Sequence, residues 1–354
     1  MDILENTQRT ELSEIGEFGL IDVLTKNIIL KNNSTIKGVG DDAAVIDSQN
    51  EKILISTDLL AEGVHFDLTY TPLKHLGYKA VVVNLSDIAA MNGKPEQITV
   101  SIAVSNRFSV EAIEELYKGI YLACDKYGID LVGGDTTSSK LGLFISITVI
   151  GRAKEEDITY RNTAKKGDLI CVTGDLGAAY IGLMILEREK AIFEANSLIQ
   201  PELEGYDYLL ERQLKPEPRL DVVQKLKEIG VKPTAMIDIS DGLASEIIHI
   251  CTNSGLGCNL YEEKIPIDYM TEDLSKKLGL VPATIALNGG EDYELLFTIN
   301  QNDFEKIKDI EGISIVGHTT DINDGMNLIT KDNKVFELKA QGWDAWLKNE
   351  NRKK

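Results

Sequence analysis

Several times along this chain an apolar, β-like run stops at an acidic residue. Lys52-Ile53-Leu54-Ile55 leads to Ser56-Thr57-Asp58, Val81-Val82-Val83 to Leu85-Ser86-Asp87, and Ile129-Asp130-Leu131-Val132 to Gly133-Gly134-Asp135. Ala235-Met236-Ile237 leads to Asp238-Ile239-Ser240-Asp241, and Gly40-Asp41-Asp42 is of the same kind. Strand ends hold their side chains firmly, so such residues are expected to point into shared crevices. Aspartate beside glycine also makes ordinary turns. Five acidic strand ends in one chain fit better with Mg²⁺, a hard cation held by one or two carboxylates together with substrate phosphates.

The 354 residues exceed one ordinary domain and are enough for two full cores. Strand patterns fall near 53–57, 97–104, 143–151, 168–173, 234–239, 293–299 and 313–317. Helical patterns fall near 13–26, 73–91, 109–127, 175–187, 219–229 and 243–254. Both types occur in both halves, which predicts an α+β architecture of two α/β domains, helices on one face of each sheet. The polar Lys154-Glu155-Glu156-Asp157 stretch places the boundary between Arg152 and Gly167, giving domains 1–155 and 156–354. Gly133-Gly134-Asp135 before Phe144–Arg152 is echoed by Gly289-Gly290-Glu291-Asp292 before Ile313–His318, which suggests a duplicated unit.

A formal charge of −20 disfavours nucleic acid and anionic membranes as partners, because lysine and arginine clusters bind those. No apolar run approaches the roughly 20 residues of a membrane span, and Met1-Asp2-Ile3-Leu4-Glu5 lacks the regions of a signal peptide. The expected compartment is the cytoplasm. Cys124, Cys171, Cys251 and Cys258 match neither a zinc site nor a disulfide framework and read as buried thiols. There is no Walker A sequence and no kinase-type glycine-rich loop with its lysine. Gly174-Asp175-Leu176-Gly177-Ala178-Ala179 could offer N–H groups to phosphate, but Asp before small residues reads first as a helix cap. Residues 186–215 read as a helical insert or a lid.

Seven blocks, in order, resemble the thiamine-monophosphate kinase family. They are Gly38–Ala44; Ser56-Thr57-Asp58 with Gly63-Val64-His65-Phe66; Lys79-Ala80 through Asn84–Met91; Gly133–Thr137; Gly151-Arg152-Ala153 with Arg161; Asp238–Leu243; and Gly289–Leu295. Each is short, and together they span nearly the whole chain. The resemblance implies an N-terminal ATP-binding domain and a C-terminal domain of the aminoimidazole ribonucleotide synthetase-like type, usually in a homodimer, with ATP held through several Mg²⁺ ions and no Walker loop.

By the same resemblance, Asp42, Ser56, Thr57, Asp58, Asp87, Asp135, Asp238 and Asp241 form the metal cluster, with Asp58, Asp87 and Asp135 catalytic. Tyr117, Gly134, Asp135, Arg161 and Ser240 serve ATP; His65, Glu291 and Trp343 serve thiamine monophosphate. Glu291 and Asp292 could accept from the aminopyrimidine or balance the thiazolium. The implied reaction is γ-phosphoryl transfer from ATP to thiamine monophosphate, the last step of thiamine diphosphate synthesis. The alternatives are another synthetase of the superfamily and a non-catalytic nucleotide or metal sensor. An N-terminal extension through Leu12 and the basic Arg352-Lys353-Lys354 tail depart from the family pattern.

Overall fold

The computed structural model describes residues 10, 14–15, 20, 23–37, 45–48 and 50–341. The chain divides into two compact units. The first runs to Ile158 and takes back Glu189–Pro201 and Leu214–Leu220; the second holds Thr159–Arg188, Glu202–Gln213 and the chain from Asp221.

The first unit is built on β3 (Lys52–Ala61), β4 (Lys94–Val104), β5 (Asp130–Ser138) and β6 (Phe144–Ala153), in the order β3-β6-β4-β5. β4 and β5 are parallel, joined by a helical crossover, and the other pairs are antiparallel. A short β1–β2 pair (Thr35–Lys37, Val45–Ile46) stands apart from this sheet. Two helices, α1 (Leu73–Ala90) and α2 (Val110–Tyr127), share one core with Ile98, Val100 and Ile102 of β4 and Ile145, Ile147 and Val149 of β6.

The local sequence explains both helices. α2 repeats apolar residues at Ile113, Leu116, Tyr117 and Ile120, giving a single buried stripe. Ser109 caps it by accepting from the Ala112 N–H at 3.3 Å, and Gly128 ends it at φ +69°. α1 is buried almost all round, from Leu76 to Ala90. The two helices cross at glycines: a Cβ on Gly77 would lie 1.9 Å from the Leu116 carbonyl oxygen, and one on Gly119 the same distance from that of Lys74.

The second unit carries a seven-stranded sheet in the order β13-β12-β9-β11-β7-β10-β8. Its strands are β7 (Leu169–Thr173), β8 (Ala235–Ile239), β9 (Leu256–Tyr261), β10 (Glu294–Ile299), β11 (Ile313–Asp321), β12 (Met326–Ile329) and β13 (Val335–Glu337). Among the described residues of this unit only β12 and β9 pair in parallel. The helices are α3 (Ala178–Ala195), α4 (Asp207–Leu214), α5 (Leu220–Glu228), α6 (Leu243–Ser254), α7 (Tyr269–Lys277), α8 (Pro282–Asn288) and the one-turn α9 (Phe304–Ile307). Ile170, Val172, Ile237, Ile239 and Leu296 pack with Leu243, Ile247 and Ile250 of α6 as its main core.

The α+β reading holds, and most of the strong apolar patterns became the elements expected of them, but Val81–Val83, read as a β-like run, lies with Asp87 inside α1. Periodicity did not announce β9, β12, α4, α7 and α8. Of the expected 13–26 helix, Glu14–Ile15, Leu20 and Val23–Thr25 are helical, Lys26 is already a turn, and the rest lies outside the described residues. The duplication suggested by the two Gly-Gly blocks does not reappear as topology. Gly133-Gly134-Asp135 lies inside an edge strand, whereas Gly289–Asp292 is a turn before β10, near the other sheet's edge. All four cysteines are buried and unbridged. Among the described residues no helix is long and apolar enough to cross a membrane.

Candidate active site

In the first unit, β3 alternates its side chains so that Ser56 and Asp58 share the helix-covered face and Thr57 takes the other. Ser56 Oγ donates to Asp87 Oδ2 at 2.6 Å, tying the strand to α1. One turn earlier on α1, buried Asn84 donates through Nδ2 to the Ala80 carbonyl at 3.0 Å. Its Oδ1 accepts the Asp58 N–H, also at 3.0 Å. Burial, and then the charge of Asp87, push the Asp58 carboxyl up to about 6. Two carboxylates and a hydroxyl at close quarters are an oxygen-only donor set, suited to Mg²⁺ rather than to a softer metal.

Other residues expected in that cluster stand elsewhere in the unit. Thr57 Oγ1 donates to the Ile147 carbonyl at 3.1 Å and accepts from Thr148 Oγ1 at 3.0 Å. The register sets Asp135 in the row of Ser101, Ser146 and Leu59, one row from Asp58 and therefore on the opposite face, on the far edge strand. Gly134 is required by the sheet itself: a Cβ there would lie 1.9 Å from the Val100 carbonyl oxygen. Asp42 and Trp343 lie outside the described residues.

Tyr117 is 6% exposed, on the buried stripe of α2 and edge-on to Tyr121 at 6.2 Å. His65 is exposed in the turn after β3, where its Nδ1 accepts the Ala61 N–H at 3.1 Å. Beside that turn lies a recess of about 430 Å³ lined by Glu62, Asp67, Leu68, Thr69, Arg107 and Phe108.

The second unit assembles its own group. Asp238 is buried on β8, and the turn after that strand carries Ser240 and Asp241. Glu246, one turn into α6 and 3% exposed, accepts the Asp241 N–H at 3.2 Å and a hydrogen bond from Ser240. Burial and the Asp241 charge push its carboxyl up to about 7, against the opposing pull of Arg161. Asp241 is raised too, by burial and by Glu291, with His249 opposing. Arg161, Ser240, Asp241 and Glu291, distant in sequence, therefore feel one neighbourhood.

The Gly-Gly-Glu-Asp block completes it. Glu291 and Tyr293 hold left-handed backbones, at φ +67° and +51°, and donate their N–H groups to the carbonyls of Ser240 and Ile239 at 2.7 and 2.9 Å. Two such non-glycine residues in one turn are strain of the kind stored at functional sites. Asp292 is not available to a ligand. It is 1% exposed and accepts the Gly177 and Ala179 N–H groups at 2.7 and 3.4 Å. The cap expected at Gly174–Ala179 thus exists, but Asp292 supplies it; Asp175 instead accepts from Tyr208 Oη at 2.5 Å. Among the described residues no three His, Cys, Asp or Glu side chains converge on a ready-made metal site. Carboxylate pairs completed by substrate phosphates are the usual magnesium arrangement.

Sequence reasoning passed over Asn84 and Glu246. Asn84 lies three residues before Asp87, so both face the same side of α1. Glu246 lies five residues after Asp241, where an acidic residue in a helix's first turn ordinarily reads as dipole compensation.

Residues 40–153 match the family model of the AIR synthase related protein, N-terminal domain, and residues 165–321 that of its C-terminal domain. A thiamine-monophosphate kinase of Buchnera aphidicola subsp. Schizaphis graminum is 39% identical over 340 residues, 94% of this chain and 100% of that protein. This chain belongs to the thiamine-monophosphate kinase family. The family member from Bacillus subtilis is 37% identical over 297 residues, covering 83% of this chain and 86% of its own length. Among solved structures, AaThiL complexed with AMPPCP and TMP superposes with a TM-score of 0.73 at 32% identity, over 97% of this chain and 100% of that one. The hydrogenase maturation protein HypE, at 18% identity and a TM-score of 0.72, shares the fold.

Proposed function

We propose that this protein transfers the γ-phosphoryl group of ATP to thiamine monophosphate, giving thiamine diphosphate and ADP. The observation that carries the reading is its likeness, over nearly the full length of both chains, to a structure complexed with AMPPCP and TMP. The paired Asp58 and Asp87 give that likeness a chemical basis.

The acceptor is a phosphate oxygen already ionised near neutral pH, so the protein needs no strong base. Its work is positioning and charge neutralisation around a loose transition state. Asp58 and Asp87, with Ser56, are the residues that would hold magnesium in the first unit; Asp238 and Asp241 are their counterparts in the second. Magnesium bound there would supply charge neutralisation between the donor and acceptor phosphates. Arg161 offers a planar fork that grips phosphate oxygens in pairs. Ser240 adds a hydroxyl for ATP, as Gly134 and Asp135 add backbone and carboxylate. His65, Glu291 and Trp343 are assigned to the acceptor, where the indole of Trp343 would suit a cationic thiazolium. Asp42 belongs to the same metal assignment, whereas Thr57, on the opposite face of β3, would serve a metal apart from the Asp58–Asp87 pair.

The working form is a cytoplasmic homodimer, with domains meeting near residue 155. Ile53, Ile55 and Leu59, exposed on the sheet face that α1 and α2 leave open, support a second copy covering that face. The decisive test mixes purified protein with Mg²⁺, ATP and thiamine monophosphate and follows products by phosphorus NMR. Thiamine diphosphate and ADP in equal amounts, dependent on both substrates, are expected. ATP left intact, or consumed without a diphosphate product, would overturn the reading.

A further inference from the structure

Helix α4 lies within the 186–215 stretch that the sequence leaves as insert or lid. Successive side chains on it reach the strained Glu291–Glu294 turn and its surroundings. Arg212 Nη1 donates to Glu294 Oε1 at 2.8 Å, Nη2 donates to the Asp175 carbonyl at 2.9 Å, and Asp292 Oδ1 stands 3.8 Å from Nη2. The next residue, Gln213, is 5% exposed and donates through Nε2 to Glu291 Oε2 at 2.7 Å.

The backbone of Glu291 is fixed by its left-handed φ and its bond to Ser240, but the terminal torsion of a glutamate is broad and needs an outside partner to set it. We infer that Gln213 is the positioning residue for the Glu291 carboxylate, and so a determinant of affinity for the thiamine portion of the acceptor. The inference rests on the proposed acceptor-side role of Glu291. The residue type suits the task. An amide donates one hydrogen bond to a carboxylate and leaves its negative charge in place for a cationic ring, whereas a lysine or arginine would neutralise it. α4 thereby separates two duties: its cation serves the buried acids Asp292 and Glu294, and its amide serves the acid that meets substrate.

Steady-state kinetics on the full chain test this with Gln213→Ala, Gln213→Asn, Gln213→Lys, Glu291→Gln and the Gln213→Ala/Glu291→Gln double variant. Gln213→Ala should raise the KM for thiamine monophosphate about tenfold and leave kcat and the KM for ATP within twofold. Gln213→Lys should raise that KM comparably. Gln213→Asn, which keeps the amide on a shorter stem, should fall between wild type and Gln213→Ala, and it stands in if the alanine variant does not fold. The double variant should be no worse than Glu291→Gln alone, because the two residues act as one unit. An unchanged acceptor KM in Gln213→Ala, additive losses in the double variant, or equal damage to the ATP KM would each overturn the inference. A wild-type enzyme that does not phosphorylate thiamine monophosphate would instead sink the proposed reaction. Full acceptor affinity in Glu291→Gln would remove the role of Glu291, and with it that of Gln213.

Discussion

The two acidic groups of this molecule are held in place by opposite means. In the first unit, Asp58 and Asp87 sit on a ten-residue strand and an eighteen-residue helix, in ordinary backbone conformations, with Ser56 and Asn84 bonded to them. In the second unit Asp238 lies on a strand, but Asp241 and Glu291 occupy turns, Glu291 with a left-handed backbone, and polar contacts reaching from Arg161 to Glu294 surround them. Regular elements give rigidity through many weak backbone bonds, while turns obtain it from a few strong polar contacts. A single substitution should therefore unsettle the second group more than the first.

The largest effect expected tests the first half of that contrast. Asp58→Asn should lower kcat/KM by about 10³-fold while the apo protein melts at or above the wild-type temperature, since a like-charge neighbour of Asp87 is removed. Turnover near wild type would take Asp58 out of the mechanism, and a large fall in melting temperature would remove the claim that its elements hold themselves. For the second unit, Arg212→Ala leaves Glu294 and Asp292 buried without their cation, which should cost about 3–5 kcal/mol in chemical denaturation. A loss below about 1 kcal/mol would mean that the turn does not depend on its network. Glu246→Gln keeps the shape of the side chain but weakens its hold on the Asp241 N–H, and should lower kcat/KM about tenfold.

Acidity offers a finer separation. Asp58, Glu246 and Asp292 all bind a proton more tightly folded than unfolded, so each contributes stability at low pH that is lost as pH rises. For Asp58 the loss runs from its ordinary 3.8 up to about 6; for Glu246 it runs from 4.5, and for Asp292 from 3.8, up to about 7. Melting temperature of the metal-free protein against pH should therefore fall less steeply below pH 6 in Asp58→Asn, while Glu246→Gln should flatten the slope up to pH 7. Identical profiles in both variants and wild type would refute this assignment. The smallest effect is expected from Tyr117→Phe. As a core residue it should change stability by no more than about 1 kcal/mol and leave the KM for ATP within twofold, whereas a tenfold rise would return Tyr117 to the nucleotide site.

What could be read from the sequence follows the same contrast. α1, α2 and β3 to β6 declare themselves because their apolar spacing is local, and Ser56, Asp58 and Asp87 ride on them. The second unit hides more. α4 is one short helix whose meaning lies in partners 78 and 82 residues away, Glu291 and Glu294. Asp292 reads as a ligand residue beside Glu291, yet it serves as a helix cap, because nothing near Gly177 in the sequence points to it. Tyr117 shows the converse: the period of α2 already places it on the buried stripe. Asp135 shares the pattern of the other acidic strand ends, but only the pairing register reveals that it faces away from Asp58.

The cap on α3 bears on how this chain is made. Asp292 leaves the ribosome 115 residues after Gly177, roughly 6–23 s later at ordinary rates of synthesis. β10, which follows Asp292, is also the strand that fits between β7 and β8. Until it arrives, those two strands have no common neighbour and α3 begins with bare N–H groups. The cap of α3 and the joining of β7 to β8 through β10 are therefore completed only after most of the polypeptide has been translated.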